Sequence, residues 1–251
     1  MIEFKNAGAS YGKKKALDVV SLAAENGEIT VILGKNGSGK TTLFRTLTGL
    51  LGYSGSVRID GYEVSKTPYY KRGKILAIMP QQLEKPKITV RELVSYGRQP
   101  YVGFSGILSK ADNAEIDRAM AQTQTDIFAD TPADKISGGE LQRAYLAMIM
   151  AQCTQNVALD EPCAHLDPDY ERRTANFLRS EADSGKAVLA IYHNLNAALE
   201  IADKIAVLDR GKLIFTGTAE EFSSSELPET LFSLRRYESK DEIGRKRLFF
   251  A

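Results

Sequence analysis

Near the start of the chain Ile2 and Phe4 alternate with polar neighbours, the period of a half-buried strand. A second strand pattern, from Leu17 to Ala23, runs into Asn26-Gly27, a pair that favours a tight hairpin turn. Ile29-Thr-Val-Ile-Leu33 is a continuous β-branched run, which suits a strand covered on both faces. Apolar spacing from Thr41 to Leu51 predicts a helix. Strand-like pieces separated by Gly55 and Gly61 then lead to Ile75-Leu-Ala-Ile-Met79, a further buried strand. From Thr89 to Gln152 the spacing is helical: Val90, Leu93 and Val94 share one face, and Ile116, Ala119 and Met120 share another. Beyond it, Val157–Leu159, Ala187–Tyr192 and Ile205–Leu208 are short apolar runs separated by helical segments, the alternation of a parallel α/β sheet. Asp209-Arg-Gly-Lys212 reads as a turn between antiparallel strands, and Thr218 with Glu221 has capping-box spacing. No internal repeat or low-complexity linker interrupts this order, so the pattern predicts one α/β domain with a helical insertion.

Composition narrows the class only a little. Of 251 residues, 43% are hydrophobic and 26% charged, as in a protein with a real core. With 33 basic and 32 acidic side chains the formal charge is +1, and no global field favours nucleic acid or a membrane surface. Glu3, Lys5 and Lys13–Lys15 leave no apolar core for a secretory leader in the first twenty residues. The longest apolar stretches, such as Ala144–Ala151, fall far short of the ~20 residues of a spanning helix, so at a membrane other chains must cross it. Cys153 and Cys163 lack metal-type spacing and read as reduced thiols of a cytosolic protein.

The chemistry begins at Gly34-Lys-Asn-Gly-Ser-Gly-Lys-Thr41, which fits the phosphate-loop pattern G-x-x-x-x-G-K-[ST] between a buried strand and a helix. Gly34, Gly37 and Gly39 let successive backbone N–H groups turn toward phosphate oxygens, and the helix aims its positive end at the same anion. Lys40 is suited to bridge the β- and γ-phosphates, and the Thr41 hydroxyl to ligate Mg²⁺. Lys35, Asn36, Ser38 and Thr42 complete the expected ATP-binding stretch. Asn156-Val-Ala-Leu-Asp160-Glu161 supplies a second anchor: a strand beside the phosphate-loop strand would carry Asp160 within reach of Mg²⁺, through water. Glu161 is then the candidate general base for the attacking water.

With these residues in hand, Ile136-Ser-Gly-Gly-Glu140, followed by Leu141-Gln142-Arg143, resembles the signature motif L-S-G-G-Q of the ATP-binding subunits of ABC transporters. Ile136 replaces Leu and Glu140 replaces Gln. A serine cap before a helix would also use Ser137, but the segment lies just upstream of the Asp160 strand, as in that family. The resemblance extends from about residue 1 to 225. It implies that Tyr11 stacks on adenine, that Gln81 contacts Mg²⁺ and the γ-phosphate and hinges the insertion (Gln82 is the weaker match), and that His193 is the switch histidine. Leu166-Asp167 matches the loop at the dimer seam, with His165 structural or interfacial. The implied fold is α/β: a P-loop NTPase core with a mostly parallel sheet (about 1–81 and 155–225), an antiparallel β subdomain, and a helical subdomain (about 82–154). Residues 226–251 form an extension.

The resemblance further implies a head-to-tail dimer of two copies, in which Ser137, Gly138, Gly139 and Glu140 of one complete the ATP site of the other. Lys40, Gln81, Glu161 and His193 then form the catalytic set. Membrane permease subunits and, through them, a substrate-binding protein are the implied partners, with no nucleic acid, at the cytoplasmic face of the membrane. Ile88-Thr-Val-Arg-Glu-Leu-Val-Ser-Tyr-Gly-Arg-Gln-Pro-Tyr101 resembles the importer group that handles iron–siderophore complexes, haem and cobalamin, so an iron chelate is the expected cargo. Rival readings are a soluble ABC-type ATPase such as those of Fe–S cluster assembly, a mechanical ATPase of DNA repair or translation, and an exporter. Arg235–Phe250 mixes basic clusters with aromatics and reads as a solvated surface, with a final strand pair or a partner contact as the alternatives.

Overall fold

The structure is a computed structural model that describes residues 1–103, 106–162, 168–240 and 246–251. Strands β1 (Ile2–Tyr11) and β2 (Lys14–Ala24) form an antiparallel hairpin. The next turn, Asn26-Gly27, was expected to close a hairpin too. Instead it hands the chain to another sheet: β3 (Ile29–Leu33) is buried at every position and pairs in parallel with two later strands. A strand of five apolar or β-branched residues gains more from cover on both faces than from pairing with β2.

Helix α1 (Lys40–Thr48) stops at Gly49, which is left-handed at φ 68 and returns its N–H to the Thr46 carbonyl, so the helix ends at Thr48 rather than Leu51. Strand β4 (Tyr53–Ile59) pairs with β1, and β5 (Tyr62–Glu63) follows the Asp60-Gly61 turn. Gly55, expected between strands, lies inside β4 at φ 76; a Cβ there would stand 2.2 Å from the Asn6 carbonyl, at the shift of register with β1. Then come α2 (Tyr69–Ile75) and β6 (Leu76–Met79).

The insertion consists of α3 (Val90–Ser95), a 3₁₀ turn over Tyr96–Tyr101, α4 (Lys110–Thr123) and α5 (Gly138–Gln152). Each of the three helices opens on a capping box: Thr89 with Glu92, Ser109 with Asp112, and Ser137 with Glu140. Val90, Leu93, Val94, Ile116, Ala119 and Met120 pack with Leu141, Ala144 and Ala147 of α5 in an apolar cluster of their own. Leu146 and Ile149 of α5 belong to the central cluster, so α5 is shared between insertion and core.

The remaining elements rebuild the central sheet. They are β7 (Asn156–Asp160), α6 (Pro168–Asp183), β8 (Ala187–Ile191), α7 (Leu195–Ile201), β9 (Lys204–Asp209) and β10 (Lys212–Thr218). The six-stranded order is β10-β9-β3-β8-β7-β6, with only β10 antiparallel to its neighbour, and a four-stranded antiparallel sheet runs β2-β1-β4-β5. The strand ending in Asp160 therefore does not lie beside β3, as the sequence suggested; β8 stands between them. Apolar runs identify members of a sheet but carry no order.

After α8 (Ala219–Ser224) and α9 (Leu227–Thr230), β11 (Arg236–Lys240) and β12 (Lys246–Phe250) pair as a separate hairpin. The expected solvated surface is thus a strand pair resting on α7: Phe250 is buried, and its backbone N–H and C=O both bond the Asn196 side chain at 2.9 Å. Tyr237 and Phe249 stack on the outer side, exposed.

Candidate functional site

The turn after β3 wraps a concavity because its glycines stand where side chains cannot. A Cβ on Gly34 would lie 2.3 Å from the Leu208 carbonyl, and one on Gly39 2.8 Å from the Ala16 carbonyl. The loop is braced from the β9–β10 turn: Gly211 N–H donates to the Ser38 carbonyl (2.8 Å), and its own carbonyl accepts from Asp18 N–H (2.7 Å). Lys40 is buried, with Nζ donating to the carbonyls of Gly34 (2.7 Å) and Lys35 (3.2 Å). Burial lowers its pKa, while Glu161 and Asp160 oppose that shift. The ammonium is held at the base of the loop, where an anion would recover the solvation it has lost.

Asp160 ends β7 and is only 2% exposed. Burial, and then the neighbouring Glu161 charge, push its pKa up to about 6, against the pull of Lys40 and Arg45. Its Oδ1 has no hydrogen-bond partner among the described residues. A buried acceptor left in this state suits a cation. No group of three or more His, Cys, Asp or Glu able to hold a metal occurs among the described residues. A cation here would therefore take Asp160, Thr41 and Gln81 together with water and phosphate oxygens, the usual manner of Mg²⁺.

Glu161 lies in the left-handed region at φ 56, uncommon for a residue with a side chain. Its N–H donates to the Ile191 carbonyl (3.1 Å) at the end of β8, and its Oε1 is 2.5 Å from His193 Nε2. β8 thus separates β7 from β3 and at the same time delivers His193 to Glu161. Tyr11 stands at the mouth, 45% exposed, its hydroxyl accepting from Arg45 at 3.3 Å.

The structure brings Tyr11, Asn36, Gly37, Ser38, Gly39, Lys40, Thr41, Thr42, Gln81, Glu161 and His193 to the walls of one cleft of about 680 Å³. That volume is within the range of small-molecule sites. Lys14, Lys15, Ala16, Arg210 and Gly211 also line it and were not foreseen. The Lys13–Lys15 run was visible in the sequence but counted only against a leader, and the Arg210-Gly211 turn was read without its destination.

Ser137, Gly138, Gly139 and Glu140 do not line this cleft. They open α5, with Ser137 and Gly138 exposed. The Glu140 carboxylate accepts from Ser137 N–H at 2.8 Å, and these Ser137 bonds hold its pKa below the usual carboxylate range. Glutamate at this position therefore serves as the capping-box acceptor. His165, Leu166, Asp167 and Cys163 lie outside the described residues.

Comparison with known proteins finds relatives along most of the chain. The family model for ABC transporters matches residues 17–164. The probable siderophore transport system ATP-binding protein YusV of Bacillus subtilis (strain 168) is 33% identical over 245 residues, covering 96% of this chain and 89% of its own. The hemin import ATP-binding protein HmuV of Mesorhizobium japonicum is 35% identical over 245 residues, covering 94% of this chain and 92% of its own. A solved ATP-binding subunit of an ABC transporter superposes with a TM-score of 0.79 at 21% identity over 93% of both chains, which speaks for the fold.

Proposed function

The chain belongs to the ABC transporter family and is an ATPase of it, and from that premise we propose that it drives import of iron–siderophore complexes through a separate membrane permease. The observation that carries the catalytic part is the meeting of the Gly34–Thr41 loop with Glu161 and His193 in one cleft. Loop N–H groups and Lys40 hold the β- and γ-phosphates, and Tyr11 stacks on the adenine. Glu161 accepts a proton from the water that attacks the γ-phosphorus as the bond to the β–γ bridging oxygen breaks. His193, 2.5 Å from that carboxylate, keeps it oriented and contacts the γ-phosphate. Bound through Thr41, Gln81 and Asp160, Mg²⁺ would neutralise charge on the phosphates.

Ser137 and Gly138 are exposed at a helix start, with Gly139 half-buried beside them, and all three lie away from their own cleft, an arrangement that supports their use by a second copy. A head-to-tail dimer closes two ATP sites this way. No helix among the described residues is long and apolar enough to cross a membrane. The similarity to import ATP-binding proteins supports placing the chain against a permease at the cytoplasmic face. A substrate-binding protein would deliver cargo to that permease. The siderophore assignment leans on relatives such as YusV; the similarity to HmuV makes haem the second cargo to test.

The test is uptake of labelled iron–siderophore by iron-starved cells lacking this chain and carrying either the wild type or Glu161→Gln. Restoration by the wild type alone is expected. Purified Glu161→Gln should bind ATP, hydrolyse it at least about a hundredfold more slowly, and accumulate as an ATP-bound dimer. Near-normal turnover would remove Glu161 from its role, and normal siderophore uptake without the chain would move the cargo to haem.

A further inference from the structure

Two adjacent residues on α5, Gln142 and Arg143, reach out of the helical insertion to the chain on either side of residues 163–167. Gln142 Nε2 donates to the carbonyl of Pro162, the residue directly after Glu161. The Arg143 guanidinium lies over the ring of Tyr170, near the start of α6, at 5.5 Å from its centroid, and over Phe128 at 5.2 Å. Both residues are half-buried.

Glu161 itself is held against its preferences. A left-handed non-glycine backbone is strained and persists only where its surroundings over-determine it. The following proline adds to the cost, since its ring favours an extended conformation in the residue before it. Among the described residues three tethers secure this turn: the Glu161 N–H on Ile191, the Glu161 carboxylate on His193, and the Pro162 carbonyl on Gln142. The first two come from β8 and the residues after it, in the core sheet. The third comes from the insertion.

Gln142 lies five residues beyond Ser137, so the two sit about 7.5 Å apart along one rigid helix. Any force on Ser137 and the first turn is delivered to Pro162 without an intervening flexible link. We propose that Gln142 is a positioning residue that ties the signature end of α5 to the catalytic carboxylate of the same chain, with Arg143 steadying the far side through Tyr170. The inference rests on the reading that Ser137 serves the ATP site of a second copy. If it does, engagement of ATP at that neighbouring site is sensed at Glu161 in this one, and the two sites fire together. Coupling of this kind needs an element that two sites both bias, and α5 is one.

The test separates donor chemistry from packing. Gln142→Glu is nearly isosteric but presents no N–H to the Pro162 carbonyl; Gln142→Lys restores a donor on a side chain of similar reach. ATP affinity, kcat and the Hill coefficient for ATP are measured for wild type and both variants, with thermal melts alongside. Misplacing a catalytic group by about 1 Å costs roughly a hundredfold. The expected result is therefore a kcat lower by about tenfold to a hundredfold in Gln142→Glu, with ATP affinity within about twofold and the Hill coefficient drawn toward unity. Gln142→Lys should recover most of both at an unchanged melting temperature. Wild-type kcat and cooperativity in Gln142→Glu would overturn the proposal, and so would an equal loss in both variants, which would mean packing alone. A wild-type chain without ATP hydrolysis would instead overturn the motor reading beneath it.

Discussion

Gly211 has a left-handed φ of 80, and a Cβ there would lie 2.7 Å from the Ala16 carbonyl. Through its N–H on Ser38 and its carbonyl on Asp18 it clamps the phosphate loop to β2. An added methyl must displace backbone, which has no rotamer to give way. Gly211→Ala is therefore expected to destabilise the chain by about 1–3 kcal/mol. ATP affinity should fall as well, because Ser38 and Gly39 lose their brace; a thermal melt and titration calorimetry check the two effects. An unchanged ATP affinity beside a lowered melting temperature would limit Gly211 to stability. Nothing local to Asp209-Arg-Gly-Lys212 disclosed this duty. The phosphate loop was legible because its chemistry is contiguous, whereas its brace joins residues far apart in sequence.

At the scale of elements, the segment that resembles the importer group also anchors the insertion. Gly97 is required because a Cβ would meet the Met148 carbonyl of α5 at 2.3 Å. Arg98 is buried, bonds the Asp112 carboxylate at 2.9 Å and the Ala151 carbonyl at 2.9 Å, and lies 4.1 Å from the Tyr101 ring centroid. Arg98 thus joins the 3₁₀ turn to the start of α4 and the end of α5. Breaking the ion pair by Asp112→Asn should cost about 3 kcal/mol, the lower end for a buried pair. The pH dependence has a definite sign. Bonds from the Ser109 hydroxyl and N–H, and then Arg98, hold the Asp112 carboxyl below its usual range. Its contribution is thus complete above the unfolded value near 4 and drains away as pH falls through the lower folded value. The gap in melting temperature between wild type and Asp112→Asn should be widest at neutral pH and close in acid. A gap that did not narrow at all as pH falls below the unfolded value near 4 would show that packing, not charge, makes the difference. Helix starts were readable in advance, as the Thr218–Glu221 box was, since a cap and its partner lie three residues apart; the ion pair spans the 3₁₀ turn and α4 and left no such spacing.

Across the whole molecule, the order of parallel strands was the least legible feature, because β7, β8 and β9 have interchangeable apolar runs. It matters for function, since placing β8 between β3 and β7 is what brings His193 to Glu161. The same assembly leaves a groove of about 960 Å³ between α2 and the 3₁₀ turn, walled by Tyr69, Tyr70, Tyr96 and Tyr101 around Gly73 and Lys74. Tyr69 is 81% exposed, and Tyr70 and Tyr96 are exposed beside it. Aromatic side chains gathered in an open groove are a common form of interaction site. The groove lies between α2 and the 3₁₀ turn of the insertion, so whatever fills it touches both; under the proposed function the occupant is a segment of the permease. Tyr69→Ala combined with Tyr96→Ala removes exposed rings and leaves the ATP cleft intact. The double variant should hydrolyse ATP as the isolated chain does, yet lose co-purification with the permease and lower cellular uptake by about tenfold or more. Uptake at the wild-type level would move the permease contact elsewhere on the surface. A parallel loss of basal hydrolysis would instead mean that these tyrosines support the fold of the insertion.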